Sequence, residues 1–350
     1  MSTRAILVTG GGGVGKTTIS AALAVRGAQL GLRTLVVTVD PAKRLADALG
    51  VDSLGSEPTP NERLDGLWAA MLDAASSWNA IIHRHAPPDV AERLEHNEFW
   101  EAVAGRFPAS QAYAAAEEMA NFLDSRVWDL IVVDTPPSAG GIGFFTAPGD
   151  MRDLVGGRLL KWLTGARLPG RKSFFSVAGR PALRIAGNVL GTDLLERVAE
   201  FLFDLRTTYD GLAKRAKEIE RHFRQSTILV VTTADPAPLR EAGRFFRELP
   251  ETATTPAAVL FNRMLPVEWQ DKAAELEADG GTRERALERN LFRWAAEAHR
   301  QSDARKAFVD RYHAPVAALA WQPDAPIDID ALAHLIRSAS NIDFDQILQQ

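Results

Sequence analysis

Nine consecutive residues, Gly10-Gly11-Gly12-Gly13-Val14-Gly15-Lys16-Thr17-Thr18, constrain this chain more than any other stretch. An apolar run, Ala5-Ile6-Leu7-Val8-Thr9, precedes them and reads as a buried strand. A helical pattern follows over residues 17–30, with Ile19, Leu23, Ala24 and Leu30 on one face and Gly31 as a stop. Strand, glycine loop and helix in that order make G-x-x-x-x-G-K-[ST] a phosphate-binding loop. Glycines let the backbone wrap closely around phosphates, and the helix start favours anions. Gly10, Gly12, Gly13, Val14, Gly15, Lys16, Thr17 and Thr18 are therefore the expected nucleotide-binding residues. Lys16 reaches the β- and γ-phosphates in this reading, and Thr17 takes a position on Mg²⁺.

Further strands place acids where such a loop needs them. Residues 33–40 form a second apolar run ending in Asp40, and residues 128–134 a third ending in Asp134. Ligands of α/β sheets bind beyond the carboxyl ends of the strands. Asp40 is read as the acid that orients or deprotonates water, with a helix N-cap as the alternative. Asp134 is read as a magnesium residue. The glycine-rich segment after it, residues 138–145, is expected to be a loop that changes shape with the γ-phosphate, or an ordinary turn.

Residues 67–73 read as a strand, and residues 74–123 as helical with breaks at Pro87-Pro88 and Pro108. The aromatic set there, including Trp78, Phe99 and Trp100, reads as core against a client-binding groove. Residues 154–192 contain seven basic and no acidic side chains, interleaved with apolar residues and glycines. They read equally as a mobile lid or membrane-surface contact and as a packed helical pair. Asp193 and Glu196 suggest a capping box opening a helix that continues to about Phe223. Strands are expected at residues 227–233, 257–262 and 316–321, and helices at 236–249 and 330–338. Residues 269–313 read as a solvated helical excursion. Asn262 suits an adenine edge or a turn, and Pro323 could flank the ring or only turn the chain.

Composition narrows the classes. A net charge of −5 disfavours a general nucleic-acid binder. No apolar run reaches a membrane span, and the early first strand predicts no signal peptide. The sequence has no cysteine, which fits a cytoplasmic location and excludes thiolate metal sites.

Residues 10–18, the run Asp40-Pro41-Ala42-x-x-Leu45-x-Asp47, Asp134-Thr135-Pro136-Pro137-Ser138 and Asn262 fall in an order that resembles the arsenical pump-driving (ArsA-like) ATPases. It is similar also to their relatives that target tail-anchored membrane proteins, and most of all to the bacterial branch. The resemblance implies an α/β P-loop NTPase with a mostly parallel central sheet flanked by helices. Residues 1–350 would form one ATPase domain, with helical insertions at 74–125 and 150–224. It implies ATP and Mg²⁺ as cofactors, Asp40 and Lys16 as catalytic residues, Thr17 and Asp134 on the metal, and Asn262 at adenine. It implies a dimer closing over two ATP molecules, which handles a hydrophobic client helix or drives a membrane partner. The protein would be cytoplasmic or peripheral to the membrane.

Two departures stand out. The family's pattern carries a lysine where this chain has Gly11, a lysine that crosses to the partner's phosphates. A homodimer that is a weak ATPase, or a heterodimer whose paralogue supplies the lysine, follows. The missing cysteines remove the metalloid and zinc sites of those relatives. A positioning or partitioning ATPase, a weakly catalytic scaffold and a small-molecule ligase or kinase are the rival classes.

Overall fold

The computed structural model describes residues 3–40, 43–72, 74–100, 108–136, 138–156, 192–278, 285–326 and 328–349. They fall into two compact units: residues 1–72, 121–142 and 224–350, and residues 73–120 and 143–223.

The first unit is built on one sheet. Its strands are β1 (Arg4–Gly10), β2 (Thr34–Thr38), β3 (Thr59–Pro60), β4 (Leu67–Met71), β5 (Leu130–Asp134), β6 (Thr227–Thr232), β7 (Ala258–Met264) and β8 (Val316–Ala320). The order is β3-β4-β2-β5-β1-β6-β7-β8. All pairings are parallel except that of β3 with β4. Parallel strands covered on both faces read as continuous apolar runs, and β2, Thr34-Leu35-Val36-Val37-Thr38, is buried at every position. Both sheet edges are short of free backbone. β3 is two residues long and ends in Pro60. Outside β8, Ser340 forms an antiparallel bridge to Ala318, its N–H donating to the Ala318 carbonyl at 2.9 Å.

Helix α1 (Lys16–Gln29) starts beyond β1 and buries Ile19, Leu23 and Ala24. Helices α2 (Arg44–Leu49) and α3 (Ala74–His85) follow along the chain, then α4 (Pro88–Glu95), α5 (Pro108–Ser125) and α6 (Ser138–Gly156). After them come α7 (Thr192–Thr207), α8 (Tyr209–Gln225), α9 (Pro236–Thr252), α10 (Glu268–Ala278), α11 (Ala286–Tyr312), α12 (Ile329–Arg337) and α13 (Phe344–Gln349). The inner face of α1 shares one apolar core with Leu332 and Ile336 of α12 and Leu348 of α13. Arg26 ties α1 to α13 through a two-pronged contact with Asp345, at 2.8 and 2.5 Å.

The second unit is helical, and Trp78, Trp100, Tyr113 and Met119 are buried in it. Trp78 stacks on Tyr113 and meets Trp100 edge-on, so these aromatics are core. At its centre lies Glu117, fully buried. Arg84 Nη1 donates to it at 2.8 Å and Arg215 Nε at 3.0 Å, while the Tyr113 hydroxyl lies 3.4 Å away. His85 Nε2 lies 3.7 Å away, too far for a hydrogen bond. Burial alone would raise the Glu117 pKa, but His85 and Arg215 outweigh it and hold the carboxyl below its ordinary value.

Several elements differ from expectation. Residues 138–145 form the start of α6 and not a loop. Phe144, Phe145, Ala147 and Met151 are buried along that helix, and Phe144 and Phe145 pack on Phe223. Apolar burial there outweighs the helix penalty of glycine, about 1 kcal/mol per residue. A helix does open where Asp193 and Glu196 suggested one, since α7 begins at Thr192. The helical run to Phe223 breaks at Thr208, whose hydroxyl bonds back to the Leu205 carbonyl at 2.7 Å. Residues 269–313 are more than a solvated excursion. Phe308 of α11 is buried against Phe261 of β7, with ring centroids 5.8 Å apart. The short strand β3 and helix α13 were not anticipated. The basic segment, apart from its ends, lies outside the described residues.

Candidate phosphate-binding site

β1 lies inside the sheet, and its carboxyl end delivers the glycine loop between β5 and β6. Gly10 has φ 143°, and a Cβ there would collide with the Val231 carbonyl oxygen of β6. Only glycine allows the last residue of β1 to lie so close to its neighbour. Gly15, at φ 99°, is the N-cap of α1, and a Cβ there would strike the Asn262 amide. No side chain caps α1, and its first turn has no acid. Its N-terminal N–H groups have no side-chain partner, which is the condition for binding an anion.

Lys16 is buried, and its ammonium donates to the Gly10 and Gly11 carbonyls at 3.1 and 2.8 Å. Burial lowers its pKa, with Asp134 and Glu241 opposing. Thr17 donates to Asp134 Oδ2 at 2.7 Å, and Thr38, at the end of β2, donates to the same oxygen at 3.1 Å. The other oxygen, Asp134 Oδ1, is buried without a hydrogen-bond partner. Burial pushes the Asp134 carboxyl up to about 6, against Thr17 and Lys16. A buried acceptor left open beside a threonine hydroxyl is the donor set a hard divalent cation takes, so these residues fit Mg²⁺.

Asp40 lies two residues past β2, its N–H donating to Thr38 Oγ1 at 3.1 Å and its carboxylate 3.3 Å from Arg44 Nη1. Asn262 is turned to the loop. Its amide donates to the Val14 carbonyl at 2.9 Å, and its oxygen accepts from the Arg263 N–H at 2.9 Å. Thr18 is half-buried in the first turn of α1, while Gly12 and Gly13 are exposed. Pro323 is exposed in the turn after β8, and no hydrogen bond joins it to the loop among the described residues. The structure thus gathers Lys16, Thr17, Asp134 and Asn262 at the loop. Two participants were missed. Thr38 was legible as a polar residue ending a buried strand just before an acid. Glu241 carries no sequence signal. A cleft of about 750 Å³ between α9 and α11 touches this neighbourhood through Glu241 and is otherwise lined by residues such as Arg240, Arg247 and Arg311. The loop, where a cation, an uncapped helix and an acid converge, is the better candidate.

A parallel sheet with a G-x-x-x-x-G-K-T loop between its first strand and helix defines a P-loop NTPase fold. The model of the anion-transporting ATPase family (ArsA ATPase) matches residues 3–290, and the chain belongs to that family. A Prosthecochloris vibrioformis protein, whose name places it among arsenical pump-driving ATPases, is 24% identical over 81% of this chain and 66% of its own length. An uncharacterised Streptomyces coelicolor protein is 31% identical over 61% of this chain and 52% of its own. The ATPase get3 of Aspergillus terreus is 25% identical over 75% of this chain and 73% of its own. The chain thus spans about half to two thirds of the two bacterial relatives. Among the described residues no helix is long and apolar enough to cross a membrane.

Proposed function

We propose that this protein is a Mg·ATP-dependent ATPase switch that works as a dimer and couples the nucleotide state of the first unit to the helical second unit. The observation that carries the reading is the Thr17–Asp134 couple, with its open carboxylate oxygen, beside an uncapped helix start and a buried lysine. Lys16 would leave the Gly10 and Gly11 carbonyls for the β- and γ-phosphates. Thr17 and Asp134 would hold magnesium, which when bound supplies charge neutralisation at those phosphates. Asp40 would orient the attacking water after releasing Arg44. Asn262 would hold the loop in shape on the adenine side, with Pro323 beyond it. The helical unit, residues 73–120 and 143–223, would act on a hydrophobic protein segment or a membrane partner. The name of the Prosthecochloris relative, an arsenical pump-driving ATPase, supports the membrane-partner direction.

Gly11 favours a second reading of the same switch. Without a lysine at that position, a paralogous subunit would supply the cation, and the homodimer would turn over slowly. One experiment separates the two: light-scattering molar mass of Asp40→Asn protein with and without Mg·ATP. A doubled mass is the outcome expected of a nucleotide-closed homodimer. A monomer that holds ATP would overturn the homodimer and point to the lysine-bearing partner. A chain that binds no ATP would sink both.

A further inference from the structure

Glu241, in the second turn of α9, stands where a side chain at position 11 would begin. A Cβ on Gly11 would overlap Glu241 Oε2. Gly11 is not among the glycines with positive φ, so the backbone does not require glycine there. What glycine provides is room, and Glu241 takes it. Glu241 is half-buried, and among the described residues it makes no hydrogen bond or ion pair. Arg244, next along its helix, commits its guanidinium to Glu248 at 3.0 and 3.3 Å. The charge of Glu241 reaches the loop cation, where only Asp134 does more to hold the Lys16 proton.

An unpaired, half-buried carboxylate is costly by itself. Beside a loop that binds phosphate it also repels the ligand, in surroundings less screening than water. We propose that Glu241 sets the nucleotide affinity of the phosphate loop. Its carboxylate lodges in the space left by Gly11, and a polyphosphate enters against it and drives it aside. The proposal rests on the ATP reading above. It makes Glu241 an affinity-determining residue and assigns it no part in the chemistry.

The test is calorimetric titration of Mg·ATP into the full chain and into Glu241→Gln, Gly11→Ala and the double variant. Glu241→Gln keeps the shape and removes the charge, so Kd should fall about fivefold at low ionic strength. That gain should shrink in ~0.5 M salt without vanishing, because partly buried charges are screened less than exposed ones. Gly11→Ala pushes the flexible carboxylate out of its place and should also tighten binding. On the Glu241→Gln background the same change should add nothing, because the two act through one contact. A Glu241→Gln protein with unchanged or weaker Kd overturns the proposal while wild-type binding leaves the ATP reading intact. Folded wild type and variants that all fail to bind Mg·ATP overturn both.

Discussion

The two units of this molecule each bury a charged centre, and the two centres are built on opposite terms. In the helical unit Glu117 is closed off from water and matched by Arg84, Arg215 and His85. In the sheet unit Lys16 is held by two carbonyls, Asp134 keeps one oxygen open, and Glu241 has no partner. Buried charges are tolerated when paired and hydrogen-bonded. The Glu117 carboxylate satisfies that rule within its own unit, although the nearby His85 Nε2 makes no hydrogen bond. The phosphate loop leaves it unsatisfied, and the missing charges are those a magnesium–phosphate ligand carries. A carboxylate matched by its own chain acts as a structural keystone. One left open, as at the loop, is what the proposed ligand would complete.

The sharpest way to test the contrast is to remove each centre. Lys16→Ala should lower ATP turnover by ~10²–10³, the usual loss for one charge-stabilising donor. Its denaturation midpoint should move little, since this cation ties only two carbonyls of its own loop. A large loss of stability in a steady-state and urea-unfolding comparison would show that Lys16 is structural after all.

Glu117→Gln should do the reverse. Removing the charge that Arg84 and Arg215 share should cost about 3 kcal/mol, the low end for a broken buried pair because Arg84 reaches solvent and Arg215 keeps Glu218. Hydrogen exchange should show the loss in α3 and α5, while nucleotide affinity at the loop stays put. The pH dependence has a definite sign. Glu117 is held below its ordinary 4.5, so its contribution is complete above that value and is lost as pH falls through the lower folded value. The gap in denaturation midpoint between wild type and Glu117→Gln should therefore narrow below pH 4.5. A gap that stays constant to pH 3 would refute the ionised network.

The smallest effect belongs to Asp345→Asn. The Arg26–Asp345 contact is well formed but partly exposed, so its loss should cost under ~1 kcal/mol and loosen only α13. A larger loss in the same unfolding assay would mean that exposed pairs in the sheet unit do the work assigned here to burial.

What was legible beforehand was local. The run from Ala5 to Thr18 carries strand, loop and helix start in fourteen adjacent residues, and Asp40 and Asp134 end apolar runs that any parallel sheet would bury. What escaped depends on segments far apart in the chain. Glu241 reaches Gly11 across 230 positions, and nothing in its own stretch, Leu239-Arg240-Glu241-Ala242, announces that. Residues 138–145 misled because local propensity favours a loop, whereas burial of Phe144 and Phe145 decides for a helix. Asn262 was noticed for its amide, but that the amide is spent on the Val14 carbonyl follows only from the register that brings β7 near the loop.

The ends of the sheet have a consequence for association. Strand β3 is only Thr59 and Pro60, and proline has no N–H to offer. At the far side Ser340 already occupies part of the outer rim of β8. Among the described residues neither border presents a long row of free donors and acceptors, which disfavours extension of the sheet by a second copy. Self-association by backbone zippering, with its drift toward open-ended fibres, is thereby discouraged. Two copies that meet must do so through side chains and loops, surfaces whose shape a bound ligand can change.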